Sequence, residues 1–387
     1  MRITVTAFLP LLSFLLIGCE RAEVDATDDI HVKIESSAII GPNTYWLHGA
    51  DHALLFVYLT TDSRLIVAQL EDETIDLIES TEIEWVEDVR GVFGVDGAVD
   101  DRWLYLLTGG FVWNLHRFSL GTLDRDSFET LLDNTEFDGR RLVYSPRLRL
   151  LKDDVVAILN ERYVNDTGER RYRIHTYMEK DNGVESATFP FYSWNFDVGV
   201  FGDQLIVADL RKDGDASSGI WFSEIDMTKG GFREEAFPQL RFGETFGGEG
   251  NFWRLIDDFR YPMVIAWRHN YGIYRYKMDG GSDWVETPIV EGDEYLDVQD
   301  IYIKDEICFI AVRVFGGELG ERRWKFKLIA IDLKGSRKWE WDLTDRFESF
   351  PDNIRIAKGN MDAVVLGYTN GSDSDYVRGL WVSYLSL

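Results

Sequence analysis

Ile307-Cys308-Phe309-Ile310-Ala311-Val312, preceded by the polar turn Lys304-Asp305-Glu306 and followed after a charged stretch by Lys327-Leu328-Ile329-Ala330-Ile331-Asp332-Leu333, holds the pattern that the whole chain repeats. Six apolar residues in succession are too few for a helix and too continuous for a strand with one wet face, so they read as a strand buried on both sides. Comparable runs occur at 54–58, 103–107, 155–159, 205–208, 263–267 and 363–366. With Leu55, Leu104, Val155, Leu205, Met263, Ile307 and Ala363 as anchors, successive runs stand 49, 51, 50, 58, 44 and 56 residues apart. That period belongs to a repeat architecture.

Each run is followed by a second strand of shared character, such as Asn114-Leu115-His116-Arg117-Phe118-Ser119-Leu120 or Gly272-Ile273-Tyr274-Arg275-Tyr276-Lys277-Met278-Asp279. A weaker strand precedes each run, as at 193–201 and 297–303, and a polar one follows the pair, as at 73–78. Four strands per unit of about fifty residues is the pattern of a β-propeller, whose blades bury both faces against their neighbours. The expected fold is therefore all-β: a seven-bladed propeller of four-stranded antiparallel blades, at about 41–90, 91–140, 141–191, 192–240, 251–292, 296–346 and 353–387. The seventh unit ends after three strands, and the alternating segment 31–40 has no unit of its own. It is expected to complete that last blade and close the ring, removing two exposed sheet edges. Residues 31–387 then form a single domain.

The first residues carry a different pattern. Met1-Arg2 is a short positive start, 3–17 is almost wholly apolar, and Leu16-Ile17-Gly18-Cys19 closes the run. This reads as a secretory signal peptide over 1–18, the apolar stretch being too short for a spanning helix. Leu16-Ile17-Gly18-Cys19 resembles the lipobox of bacterial lipoproteins. The resemblance implies acylation of Cys19, cleavage before it, and a membrane-anchored protein of the bacterial cell envelope, on the outer membrane or the periplasmic face of a membrane. The acidic, apolar-poor segment 19–30 would be its tether. The repeats themselves broadly resemble those of bacterial propellers, including the beta-barrel assembly lipoproteins and the TolB-like and quinoprotein-like groups. Ala330-Ile331-Asp332-Leu333-Lys334-Gly335-Ser336-Arg337-Lys338-Trp339 is similar to a quinoprotein-type repeat but differs in turn length and occurs once, so no quinone site follows. Ser282-Asp283-Trp284 is a fragment of a sialidase-type box.

A net charge of −27 with no long basic run speaks against nucleic acid as a partner. Of the two cysteines, Cys308 lies in an apolar run with no basic neighbour in sequence, and reads as a buried structural thiol. The six histidines show no metal-ligand spacing, so no metal site is assigned. Asp213-Gly214-Asp215-Ala216-Ser217 and Ser372-Asp373-Ser374-Asp375 place oxygens at alternate positions, which leaves calcium as the one cofactor weighed.

Loop length maps the binding surface. The stretches 161–171, 211–218, 315–323 and 370–378, between second and third strands, are longer than their counterparts in the other units and should project on one face with the connection 239–251. On that face the ligand-binding candidates are Trp267, Arg268, His269 and Tyr271, which combine aromatic rings with a cation and an imidazole, together with Arg211, Asp213 and Asp215. The expected function is a binding or scaffolding module for an envelope protein or peptide. The alternative is a hydrolase or lyase acting on polysaccharide through carboxylates at the propeller axis.

Overall fold

The computed structural model describes residues 31–33, 44–50, 53–59, 64–71, 77–83, 94–110, 112–133, 141–152, 154–180, 183–191, 195–213, 217–226, 231–242, 253–257, 259–268, 272–279, 283–291, 295–304, 306–316, 323–334, 338–344, 351–358, 363–370 and 379–386. The signal and tether, 1–30, lie outside them, as does Cys19.

The described elements are all strands. After β1 (His31–Lys33), blade 1 consists of β2 (Thr44–Ala50), β3 (Ala53–Leu59), β4 (Leu65–Glu71) and β5 (Leu77–Ile83). Blade 2 holds β6 (Gly94–Val99), β7 (Trp103–Gly109), β8 (Val112–Ser119) and β9 (Arg125–Asp133). Blade 3 holds β10 (Arg141–Leu151), β11 (Asp154–Val164), β12 (Arg170–Lys180) and β13 (Gly183–Phe191). Blade 4 holds β14 (Phe196–Phe201), β15 (Gln204–Asp213), β16 (Ser217–Asp226) and β17 (Gly231–Phe242). Blade 5 holds β18 (Trp253–Ile256), β19 (Met263–Arg268), β20 (Gly272–Asp279) and β21 (Asp283–Glu291). Blade 6 holds β22 (Tyr295–Lys304), β23 (Ile307–Gly316), β24 (Arg323–Asp332) and β25 (Lys338–Asp342). The last strands are β26 (Pro351–Lys358), β27 (Ala363–Asn370) and β28 (Gly379–Ser386).

Six sheets thus each take four consecutive antiparallel strands, and a composite sheet has the order β1-β28-β27-β26. The chain is an all-β propeller with four strands to a blade. In the composite sheet His31, Val32 and Lys33 pair with Ser383, Val382 and Trp381. Residues 34–40 of the expected closing strand lie outside the described residues.

The continuous apolar runs are second strands, and their burial explains why they do not alternate. Leu54, Leu55, Phe56 and Val57 are all at most 1% exposed, because a second strand has a neighbouring blade on each side. Successive blades share apolar cores. Blades 5 and 6 meet through Met263, Ile265 and Trp267 against Cys308, Ile310 and Val312, and blades 3 and 4 through Val156, Ile158 and Ile174 against Phe196, Val198 and Val207. Outer strands alternate between exposed and half-buried residues, as in β25, and there the charge is placed.

Two sequence expectations are corrected. The fourth strand of blade 1 is Leu77–Ile83 and not 73–78, since Leu65 to Gln69 pair with Ile83 to Glu79. The stretch 161–171 is not a loop: β11 continues to Val164 and β12 begins at Arg170, so the length appears as a ladder in which Glu161 faces Arg173. Likewise β15 runs to Asp213 and β16 starts at Ser217. Polar residues mislead here because a hairpin that extends past its neighbours can keep pairing its backbone while its side chains stay wet.

Candidate functional site

The innermost strand of each sheet is the first of its unit. These strands contact one another from blade to blade, β2 with β6, β6 with β10, β10 with β14, β14 with β18 and β22 with β26, and β26 returns to β2. At one level of this inner wall stand Trp46, Asp96, Arg147, Asp197, Arg254, Asp300 and Arg355, in blades 1 to 6 and the composite sheet. Their ladder partners on the second strands are Val57, Leu107, Ile158, Ala208, Ile265, Ala311 and Gly367. From Asp96 onward, acid and arginine alternate around the axis. Register irregularities fall just before Trp46, Arg147, Asp300 and Arg355, and such bulges re-aim the side chain that follows.

Each acid of the ring ties its blade to the next. Asp96 accepts the Leu148 backbone N–H at 2.9 Å, Asp197 that of Leu255 at 3.0 Å, and Asp300 that of Ile356 at 2.9 Å. In each case the donor is the residue after the next ring arginine. Arg147 donates from Nε to Asp197 at 2.8 Å and lies over the Phe196 ring. Below the ring, Arg149 donates to the Val198 carbonyl at 2.8 Å and meets both Asp96 and Asp197. Asp257 reaches back from blade 5 to the Val200 N–H at 2.6 Å. These eight residues are four arginines and four aspartates, a balanced set in a chain that carries −27.

Burial alone would raise the Asp197 pKa, but Arg147, Arg254 and Arg149 together with the Leu255 N–H outweigh it and hold Asp197 at about 2. At Asp300 burial wins over Arg355 and Arg254, and the carboxyl sits above its ordinary range. Burial, with Arg147 and Arg355 nearby, also lowers Arg254, against the pull of Asp197 and Asp300. In blade 1 the position belongs to Trp46, 8% exposed and stacked on His48 at 5.5 Å. A Cβ on Gly97, the next blade's residue after Asp96, would come within 2.5 Å of the Trp46 ring, so only glycine fits beneath it.

A second polar network lies at the base of the blade 3 hairpin. Glu161, 1% exposed, meets His175 Nε2 at 2.6 Å and Arg173 through a bidentate contact, while His175 Nδ1 meets the Thr188 hydroxyl at 3.0 Å. Burial would raise Glu161, but its bonds to His175 and Arg173 hold it at about 2. Tyr177 is pushed up to about 12 by burial and by the Glu161 charge. At the hairpin tip, the Asn165 carboxamide oxygen accepts from the Thr167 and Glu169 N–H groups, and Gly168 takes φ +81°. Both ends of the hairpin are therefore fixed by hydrogen bonds.

The candidates named from sequence do not assemble into one patch. Trp267 is 7% exposed and belongs to the core between blades 5 and 6 rather than to a binding platform. Arg268 ends β19, with its side chain outside the described residues, as are His269 and Tyr271. Arg211 is held by the fully buried Asp209 at 2.6 and 2.9 Å and lies over Trp221. Asp213 is the last residue of β15, its side chain not described, and Asp215 lies outside the described residues. Among the described residues no three His, Cys, Asp or Glu side chains gather as a metal site. Cys308 is buried and unpaired, with its thiol pKa pushed up by burial.

The axial ring was legible in principle. Its members stand 9, 8, 8, 8, 9, 7 and 8 residues before the anchors of their units. A charged residue recurring at that offset was the available signal, hidden by the fact that its sign alternates.

No family model matches the chain, and no curated protein matches its sequence. Among solved structures it is similar to one described as the crystal structure of polysaccharide lyase Uly1, with TM-score 0.53, 9% identity, and 92% of this chain and 93% of that chain covered. It is also similar to the structure of the Dos1 propeller, with TM-score 0.51, 9% identity, and coverage of 90% and 82%. At such identities the likeness is one of fold, and the fold is a propeller.

Proposed function

We propose that the chain is a rigid propeller module that binds or scaffolds a protein or peptide at the bacterial cell envelope. The composite sheet is read as the seventh blade, closing the ring. One observation carries the proposal: Asp96, Asp197, Asp257 and Asp300 at the axis each accept a backbone N–H from a neighbouring blade. These four carboxylates are committed to holding inner strands together, so none of them is a disengaged pair for the alternative, acid–base cleavage of a polysaccharide at the axis. Binding is assigned instead to the face that carries the long hairpins. The blade 3 hairpin supports this, since its buried Glu161 network and capped tip present a preorganised edge.

The test is a pull-down from detergent-solubilised membranes with tagged full-length protein and a variant whose hairpins at 161–171, 211–218, 315–323 and 370–378 are cut to the length in blade 2. Envelope proteins retained by the full-length chain and lost with the variant are the expected result. Equal recovery with both would overturn the hairpin face as the binding surface.

Anchoring through an acylated Cys19 belongs to the same proposal. Cys19→Ala is expected to move the protein from the membrane pellet to the soluble fraction and to abolish incorporation of labelled palmitate. Unchanged membrane association would rule the anchor out.

A further inference from the structure

The direction of β1 fixes the side of the propeller on which the chain arrives. In the composite sheet β28 leaves the β27–β28 hairpin at Gly379, paired with Asn370, and ends at Ser386, paired with Ala363. β1 runs against it, with His31 opposite Ser383 and Lys33 opposite Trp381. The chain therefore enters β1 from the side away from the hairpins and travels toward them. The start of β2 agrees, since Thr44 pairs with Tyr58 at the hairpin end of β3. The opposite face is built from the turns between first and second strands and between third and fourth. These are tied to one another, Leu120 N–H to the Arg102 carbonyl at 3.0 Å and Leu333 N–H to the Glu306 carbonyl at 2.9 Å. Exposed charge covers them, as in the Lys152–Asp203 pair at 2.9 Å, with side chains 62% and 73% exposed.

We propose that the face opposite the hairpins is the one held toward the membrane, so that the hairpin face takes its partner from the aqueous compartment. The partner is then a soluble protein, or a domain standing clear of the bilayer, and not a membrane-spanning segment. This rests on the anchoring of Cys19 and on the composite sheet closing the ring. Chain length decides the orientation. His31 stands twelve residues after Cys19, a stretch that reaches about 40 Å fully extended and averages about 20 Å as a coil. A second strand such as β11, with eleven residues, rises about 35 Å, and its hairpin tip adds to that. Turning the hairpins to the bilayer would force the tether to climb most of this height close to full extension, at a cost in chain entropy. The opposite face needs no such stretch, and its charged turns lie at headgroup level without inserting.

The test is energy transfer from the acylated full-length protein to vesicles of phosphatidylethanolamine and phosphatidylglycerol carrying an acceptor dye on the headgroup. A donor dye is attached through Asp203→Cys, in the exposed turn after β14, or through Thr167→Cys, at the exposed tip of the blade 3 hairpin. An acylated Cys19 has no thiol to label, and Cys308 is buried with its pKa pushed up. Transfer from position 203 should exceed that from position 167 at least about twofold, as the separation across the propeller requires. Asp101→Cys and Arg170→Cys, exposed at the two faces of blades 2 and 3, should repeat the order and stand in for a variant that does not fold. Equal transfer from both faces, or stronger transfer from the hairpin tips, overturns the orientation while leaving the anchor intact. A wild-type protein that does not float with the vesicles, or a Cys19→Ala variant that floats equally well, overturns the anchor and the orientation with it.

Discussion

Asp197→Ala is expected to lower the free energy of unfolding by about 3–5 kcal/mol, the cost of stripping one partner from a buried ion pair. Asp197 is 2% exposed, and its carboxylate serves three groups at once. It binds Arg147 at 2.8 Å and the Leu255 N–H at 3.0 Å, and it faces Arg149 at 3.5 Å. Without it Arg147, with a side chain only 15% exposed, keeps its charge and loses its counter-ion, and a buried N–H on β18 has no acceptor. Asp126→Ala provides the contrast. Its pair with Arg117 lies at the surface, 40% and 30% exposed, and should be worth at most about 1 kcal/mol. Urea denaturation of the two variants measures both. A loss below about 1 kcal/mol at Asp197 would mean that the axial ring does not hold the blades. A double-mutant cycle with Arg147→Ala should return a coupling of about 1–3 kcal/mol.

Acid should weaken the fold well before global protonation of its carboxylates is complete. Asp197 and Glu161 are held at about 2 against ordinary values of 3.8 and 4.5. A carboxylate depressed on folding contributes stability that is present above its unfolded pKa and lost as pH falls toward the folded one. The loss should run from about pH 5 down to about pH 2, amounting to about 2 kcal/mol for Asp197 and a comparable amount for Glu161. Asp300 acts in the opposite direction. Its carboxyl is raised on folding, so its charged form costs stability and acid relieves that cost. Glu161→Gln removes the blade 3 part of the dependence, and its stability should fall less steeply between pH 5 and pH 2 than that of the wild type. Parallel curves would show that the His175 and Arg173 contacts do not depress Glu161.

The two networks differ in how far the sequence announces them. The apolar second strands repeat by residue type, because burial on both faces leaves few choices. The first strands repeat by position only: Asp96, Arg147, Asp197, Arg254, Asp300 and Arg355 share a place and alternate in sign. Their relation is a contact between units about fifty residues apart, and no pattern local to one unit contains it. Glu161 and His175 were hidden for another reason. Both lie in a polar stretch, and polar stretches near a turn read as loops until the ladder that pairs them is seen.

By itself, the sequence determined the strand-rich propeller, the four-strand unit and the burial of the second strands, because period and hydrophobicity are local quantities that a two-sided blade interface imposes directly. The tertiary structure decided where the buried charges pair, which polar stretches stay in the ladder, and that Trp267 packs in the core. Each of these depends on which blade stands next to which, and that adjacency is set by closing the chain around an axis.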